Sequence, residues 1–184
     1  MVPRPKHHPI IGAKWVFRNK MNEQDVIIEN KARPAAKCYN QKEGIDYDET
    51  YAPVERLEAI RMLLAYASYM NFKLYQMDVK SAFLNGFIEE EVYVEQPKGF
   101  ENFEFPNNVF KLSKALYGLK QAPRAWYKRL SNFLLEKGFS KGKVDTTLFI
   151  KKSNHDLLII QIYVDDIIFG ATNHCLCEEF SKLM

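Results

Sequence analysis

The sequence predicts a mixed fold of the α+β class. Three observations lead there. Short apolar runs, several alternating with polar residues, recur at both ends of the chain. Two longer segments instead space their apolar residues at 3.6, as amphipathic helices do. Apolar residues make up 47% of 184 and aromatics 14%, enough for a packed core and too many for a disordered chain.

The elements follow in order. Residues 1–12 are rich in proline (Pro3, Pro5, Pro9) and read as an extended arm. From Ala13 to Lys20, Trp15 and Phe17 alternate with Lys14, Val16 and Arg18, which predicts a strand, and Val26–Ala36 returns as its hairpin partner. Pro34 sits awkwardly there, because proline donates nothing to a ladder. Leu57, Ile60, Leu63, Leu64 and Ala67 predict a helix that stops near Met70–Asn71. Phe72–Met77 reads as a short buried strand with Asp78 at its end, and Ser81–Gly86 as a brief helix or turn. Val92–Val94 and Val109–Leu112 are short strands on either side of a loop. A second helix begins at Ala122 or Pro123, carries Trp126, Leu130, Phe133 and Leu134 on one stripe, and ends before Gly138. Phe149–Ile150, Leu157–Val164 and Ile167–Gly170 follow as strands, and Cys175–Met184 opens a final helix.

Composition excludes several classes. No stretch nears the ~18–20 apolar residues of a membrane span, and the opening prolines and histidines break any signal-peptide core, so an intracellular protein without membrane contact is expected. Three cysteines (Cys38, Cys175, Cys177) give no disulfide framework, and no paired Cys/His set suggests zinc. The net charge of +3 hides a pattern. Residues 1–42 hold nine Lys/Arg against three acids, residues 86–105 six Glu against one Lys, and residues 111–143 nine Lys/Arg against Glu136. Basic blocks interleaved with Tyr117, Trp126 and Tyr127 suit a surface that tracks phosphates; solvated helix faces are the plainer explanation.

Two features break the local rules. Asp165 and Asp166 interrupt an apolar run that is otherwise broken only by Gln161, where two adjacent carboxylates repel each other and resist desolvation. A tight hairpin turn explains one aspartate well and two less well. Asp78 ends a buried strand; capping the next helix is its plainer role. Taken together, carboxylates at the ends of adjacent strands can converge on hard divalent cations. Two such ions roughly 4 Å apart are the apparatus of in-line phosphoryl transfer.

Six strings, in order, complete the pattern: Trp15–Lys20, Asn30–Arg33, Gly44–Val54, Gln76–Gly86, Ala115–Tyr127 and Tyr163–Asp166. On these the chain resembles the reverse transcriptase domain of copia-type long-terminal-repeat retrotransposons, and the likeness covers nearly its whole length. The resemblance implies a right-hand polymerase fold, with an extended arm at 1–12, fingers at 13–70 and an antiparallel palm sheet backed by helices at 71–184, stopping short of the thumb. It implies an RNA-directed DNA polymerase using two Mg²⁺ ions, or Mn²⁺, held by Asp78, Asp165, Asp166 and the Val79 carbonyl. Lys31 and Arg33, which share a face if they lie on a strand, would grip the triphosphate; protective charge on an edge strand is the alternative. Ser81, Ala82, Phe83, Tyr117 and Gly118 would line the nucleotide site, with Phe83 stacking under the deoxyribose unless it is simply a core residue. Lys120 and Arg124 would approach template or primer phosphates, and Trp126 is expected in the core. Implied partners are an RNA or DNA template with primer, deoxynucleoside triphosphates and other proteins the element encodes, in a cytoplasmic element particle or the nucleus.

The chain departs from the family at Pro34 and Cys38, where a strand leucine and a glycine are usual. The first would remove a ladder donor, the second would strain a positive φ, and weakened nucleotide binding is the expectation. The family also continues into a thumb and an RNase H domain. A catalytically inactive remnant that binds nucleic acid through its basic blocks is therefore the competing function. A two-metal nuclease or cyclase would fit the aspartates but not the other strings.

Overall fold

The computed structural model describes residues 1–153 and 155–184. Ten strands and four α-helices run in the order β1 (Ile10–Ile11), β2 (Ala13–Met21), β3 (Ile27–Ala36), α1 (Leu57–Tyr69), β4 (Leu74–Asp78), α2 (Ala82–Asn85), β5 (Tyr93–Val94), β6 (Phe110–Lys111), α3 (Ala122–Glu136), β7 (Ser140–Lys141), β8 (Leu148–Ser153), β9 (Asp156–Tyr163), β10 (Asp166–Ala171) and α4 (His174–Leu183). A 3₁₀ turn covers Cys38–Asn40. The expected strands and helices all form, within a few residues. The short β1 and β7 and the 3₁₀ turn were not expected. No helix among the described residues is long and apolar enough to cross a membrane.

Two compact units divide the chain, and each takes two stretches of sequence. The first comprises Met1–Tyr51 and Phe83–Trp126. Its centre is a small sheet in the order β1-β5-β6, with β1 parallel to β5, next to a core of Ile11, Ala36, Val92, Val94, Ala115 and Leu119, all at most 3% exposed. Each fully buried Ile, Val or Leu side chain contributes ~1.5–3 kcal/mol. The ribbon β2–β3 pairs Trp15 with Pro34, Val16 with Arg33 and Arg18 with Lys31. Side chains alternate across a strand, so this register sorts the ribbon by chemistry. Lys14, Arg18, Lys20, Lys31 and Arg33 lie on one face. Trp15 and Phe17 lie on the other, where the Trp15 indole donates to the Lys98 carbonyl at 3.0 Å and packs against Phe100.

Pro34 turns out to cost the ribbon nothing. Ala36 donates its N–H to the Tyr117 carbonyl, away from β2, at 2.7 Å. Residues two apart point their N–H groups the same way, so the Pro34 nitrogen also faces outward and no β2–β3 bond is missing. Cys38 corrects the other expectation: it opens the 3₁₀ turn and does not adopt a positive φ, so no backbone strain attaches to it. A polar clamp ties two sequence strings together. Gln41 donates to the Gln121 side-chain oxygen at 2.9 Å, and Gln121 donates to the Asp46 carbonyl at 2.8 Å, all three buried.

The second unit comprises Ala52–Ala82 and Tyr127–Met184. Its sheet runs β4-β10-β9-β8-β7, antiparallel throughout. The sheet's two faces differ. Phe149, Leu158, Ile160, Ile162, Ile167 and Phe169 point to one side and are buried, and Phe180 of α4 stacks edge-on over Phe169 at 4.9 Å. The register puts Gln76, Asp78, Gln161, Asp166 and Ile168 on the opposite side. Helix α1 closes with Asn71 in the left-handed region at φ 55, and the Phe72 N–H reaches back to the Ala67 carbonyl at 3.0 Å, satisfying a carbonyl of the last turn.

Candidate active site

The second unit holds the acidic group. Tyr163 pairs with Asp166 across a two-residue hairpin whose central residues are Val164 and Asp165. Val164 takes φ 56 while Asp165 does not, the pattern of a type II′ turn, and a β-branched residue there is a true outlier. The hairpin reading holds, and the turn presents the two adjacent acids. Asp166 lies directly opposite Asp78. The Val79 N–H donates to the Asp165 carbonyl at 2.8 Å. That bond makes Asp78–Asp166 the closer, non-hydrogen-bonded kind of cross-strand pair, with α-carbons ~4.5 Å apart. Gln76 donates to Asp166 Oδ1 at 3.0 Å and fixes its carboxylate.

Like charges directly opposite destabilise a strand pair. Among the described residues no lysine or arginine pairs with either acid. The donor set is hard oxygen, the exposed Asp78 and Asp165 are open to solvent, and the unbalanced charge favours a cation. These residues fit Mg²⁺ in chemistry. They do not, among the described residues, form a ready cluster of three or more acidic, histidine or cysteine ligands.

The first unit holds the basic and aromatic group. The Arg33 guanidinium lies over the Tyr117 ring at 5.0 Å, and Phe83 meets the same ring edge-on at 6.2 Å. Three of the residues assigned to nucleotide are therefore one contiguous ladder. Phe83 also packs against the core, so it is a core residue in part. Gly118 makes the ladder sterically feasible: at φ 88 its hydrogen faces the Ala36 carbonyl, and a Cβ would fall 2.3 Å from that oxygen. Lys31 shares the basic face with Arg33 and pairs with Glu29 at 3.8 Å; the neighbouring Lys20 pushes its amine below the usual lysine range. Ser81 and Ala82 belong to the second unit, where Ser81 is exposed and takes φ 56 and Ala82 is buried.

The two residues assigned to strand phosphates already have partners. Lys120 donates to the Tyr47 hydroxyl at 3.0 Å, which holds its pKa up, and Arg124 is paired with Glu49. Trp126 is buried at 6% exposure, as its place on the stripe predicts. Glu55, Asp145 and Thr147 were not singled out. Asp145 and Thr147 join Gln161, the one polar residue noted inside a strand, in a hydrogen-bonded network on the second unit, and the buried Glu55 feels the Asp145 charge.

Residues 1–184, the whole chain, match the family described as Reverse transcriptase (RNA-dependent DNA polymerase). The chain belongs to that family. Among its relatives are the Retrovirus-related Pol polyproteins from transposons RE1 and RE2 of Arabidopsis thaliana, 45% and 43% identical over 95% and 96% of this chain. The Retrovirus-related Pol polyprotein from transposon TNT 1-94 of Nicotiana tabacum is 40% identical over 91%. The reverse transcriptase chain spans only 12–13% of the length of these curated relatives. No solved structure matches it. The copia-type resemblance read from the six strings is thereby borne out.

Proposed function

We propose that this reverse transcriptase chain supplies the fingers and palm of an RNA-directed DNA polymerase, with β2–β3 as fingers ribbon and the β4-β10-β9-β8-β7 sheet as palm. One observation carries the reading: the register that sets Asp166 directly across from Asp78 at the end of a hairpin, with Asp165 exposed in the turn. Asp78, Asp165 and Asp166, with the Val79 carbonyl, would hold two Mg²⁺ ions. When bound, such ions neutralise the charge that develops on the attacking and leaving oxygens of nucleotidyl transfer. The chain's own residues do the rest. Gln76 orients Asp166. Lys31 and Arg33 present positive charge from one strand face to a triphosphate, Arg33 as a planar fork suited to phosphate oxygens. Phe83, Tyr117 and Gly118, with Ser81 and Ala82, border the sugar and base of a deoxynucleotide. Lys120 and Arg124 attract template or primer once Tyr47 and Glu49 release them.

Pro34, one of the supports of the competing remnant reading, sits in the ribbon without a lost ladder bond. Primer extension on an RNA template, in Mg²⁺ and then Mn²⁺, tests the reading. Extension by the unsubstituted chain that disappears in Asp165→Asn supports it. Salt-sensitive binding of template–primer without extension by either chain overturns it in favour of the remnant.

A further inference from the structure

The buried network around Glu55 has no part in the function proposed above. Glu55 is 7% exposed, and neither carboxylate oxygen has a hydrogen-bond partner among the described residues. It immediately precedes Arg56, the residue that caps α1. The charged group that acts on it is Asp145, a second acid. Asp145 cannot relieve an ionised Glu55, because a carboxylate only accepts hydrogen bonds and carries the same charge. Asp145 Oδ1 accepts from the Thr147 N–H at 2.9 Å and from the Thr147 hydroxyl, and Oδ2 accepts from Gln161 Nε2 at 2.9 Å. Gln161 also donates to Thr147 Oγ1 at 2.8 Å. Burial works against the Asp145 charge, but these bonds, with Arg56 near, outweigh it and keep Asp145 ionised.

An isolated buried carboxylate beside another one is costly, and the usual outcome is that it keeps its proton. Burial, with Asp145 adding to it, pushes the Glu55 carboxyl to about 7. The network also lies where it matters. Gln161 sits opposite Ile168 on β10, two residues from Asp166, and its side chain shares the sheet face with Asp78 and Asp166. Next to it, an apolar cleft of about 460 Å³ separates Met62, Leu63 and Tyr66 of α1 from Leu148 and Ile159, with Asp145 and Gln161 in its lining. The cleft runs along Ala59–Tyr66, so α1 is not fully packed against this side of the sheet.

We propose that Glu55 is a proton-operated latch. As a neutral acid it seats the start of α1 against the Asp145–Thr147–Gln161 network. On ionising it leaves that seat and loosens the sheet face that carries Asp78 and Asp166. The latch rests on packing and charge in the second unit alone, so it stands or falls independently of polymerase activity.

The sign follows from linkage. A carboxyl whose pKa is raised by folding lends stability at acid pH and loses it as pH rises from its unfolded value near 4.5 toward about 7. The test is thermal unfolding of the full chain and of Glu55→Gln between pH 5 and 8, together with NMR of the Gln161 side-chain amide. The unsubstituted chain should lose about 5 °C more than Glu55→Gln over that range, with the loss complete near pH 7.5. The Gln161 amide should shift with a midpoint near 7 in the unsubstituted chain and stay still in the variant. Parallel Tm curves for the two chains would overturn the proposal. Should the variant not fold, carbon-13 titration of Glu55 in the unsubstituted chain decides: a midpoint near 7 supports the latch, and one near 4.5 overturns it.

Discussion

Single residues in this chain are held by contacts that make sharp predictions. Gly118 is the clearest. A methyl group there would strike the Ala36 carbonyl and also face a left-handed φ. Gly118→Ala should therefore lower stability by roughly 2–4 kcal/mol, read as a fall in Tm, with Arg33 and Phe83 losing their shared contact to Tyr117. Glu49 offers a gain instead of a loss. Its carboxylate occupies Arg124, so Glu49→Gln should free that guanidinium for phosphate. Binding of template–primer should tighten at low salt, and the slope of log affinity against log salt should steepen by about one unit. An unchanged slope would mean that Arg124 never meets phosphate. Pro34 and Cys38, which looked damaging in the sequence, sit without strain or a lost ladder bond. The pair Pro34→Leu and Cys38→Gly should accordingly leave nucleotide affinity unchanged within twofold, measured by titration with a deoxynucleoside triphosphate.

At the scale of elements, the turn Tyr163–Asp166 concentrates strain and chemistry. Val164 bears the positive φ that a two-residue hairpin demands. Val164→Gly should relieve it and stabilise the chain by about 1 kcal/mol, a rise of some 2–4 °C in the melting temperature. Much of the architecture was legible at this scale. Alternation around Trp15 and Phe17 announced β2, and 3.6 spacing from Leu57 to Ala67 announced α1, because each buries one face of a regular repeat. β1, next to the opening prolines, and the polar β7 show no apolar alternation to read, and each forms by pairing with a neighbouring strand. The orientation of Pro34 was not legible either, since it depends on which side of β3 faces β2. Gln161 stood out as the one polar residue in an apolar run, and its partners explain it. Glu55 did not stand out, because a charged residue before a helix ordinarily points to solvent.

Over the whole molecule, the uneven charge resolves into specific places. Five of the nine Lys/Arg of residues 1–42 lie on one face of the β2–β3 ribbon, and Asp78 faces the Asp165–Asp166 hairpin from the next strand of the five-stranded sheet. Each compact unit draws on two separate stretches of sequence, so neither is built from a continuous run. Three of the six sequence strings, Gly44–Val54, Gln76–Gly86 and Ala115–Tyr127, run across a boundary between the units. The central claim is that Asp78 and the Val164–Asp166 turn form the ion site. Paramagnetic broadening by Mn²⁺ of the backbone amide signals tests it most directly. The geometry predicts selective loss of signal from 77–79 and 163–167 at low ion concentration, abolished in the double variant Asp78→Asn, Asp166→Asn. Broadening centred elsewhere, such as at Glu101 and Glu104, or undiminished in the double variant, would contradict it.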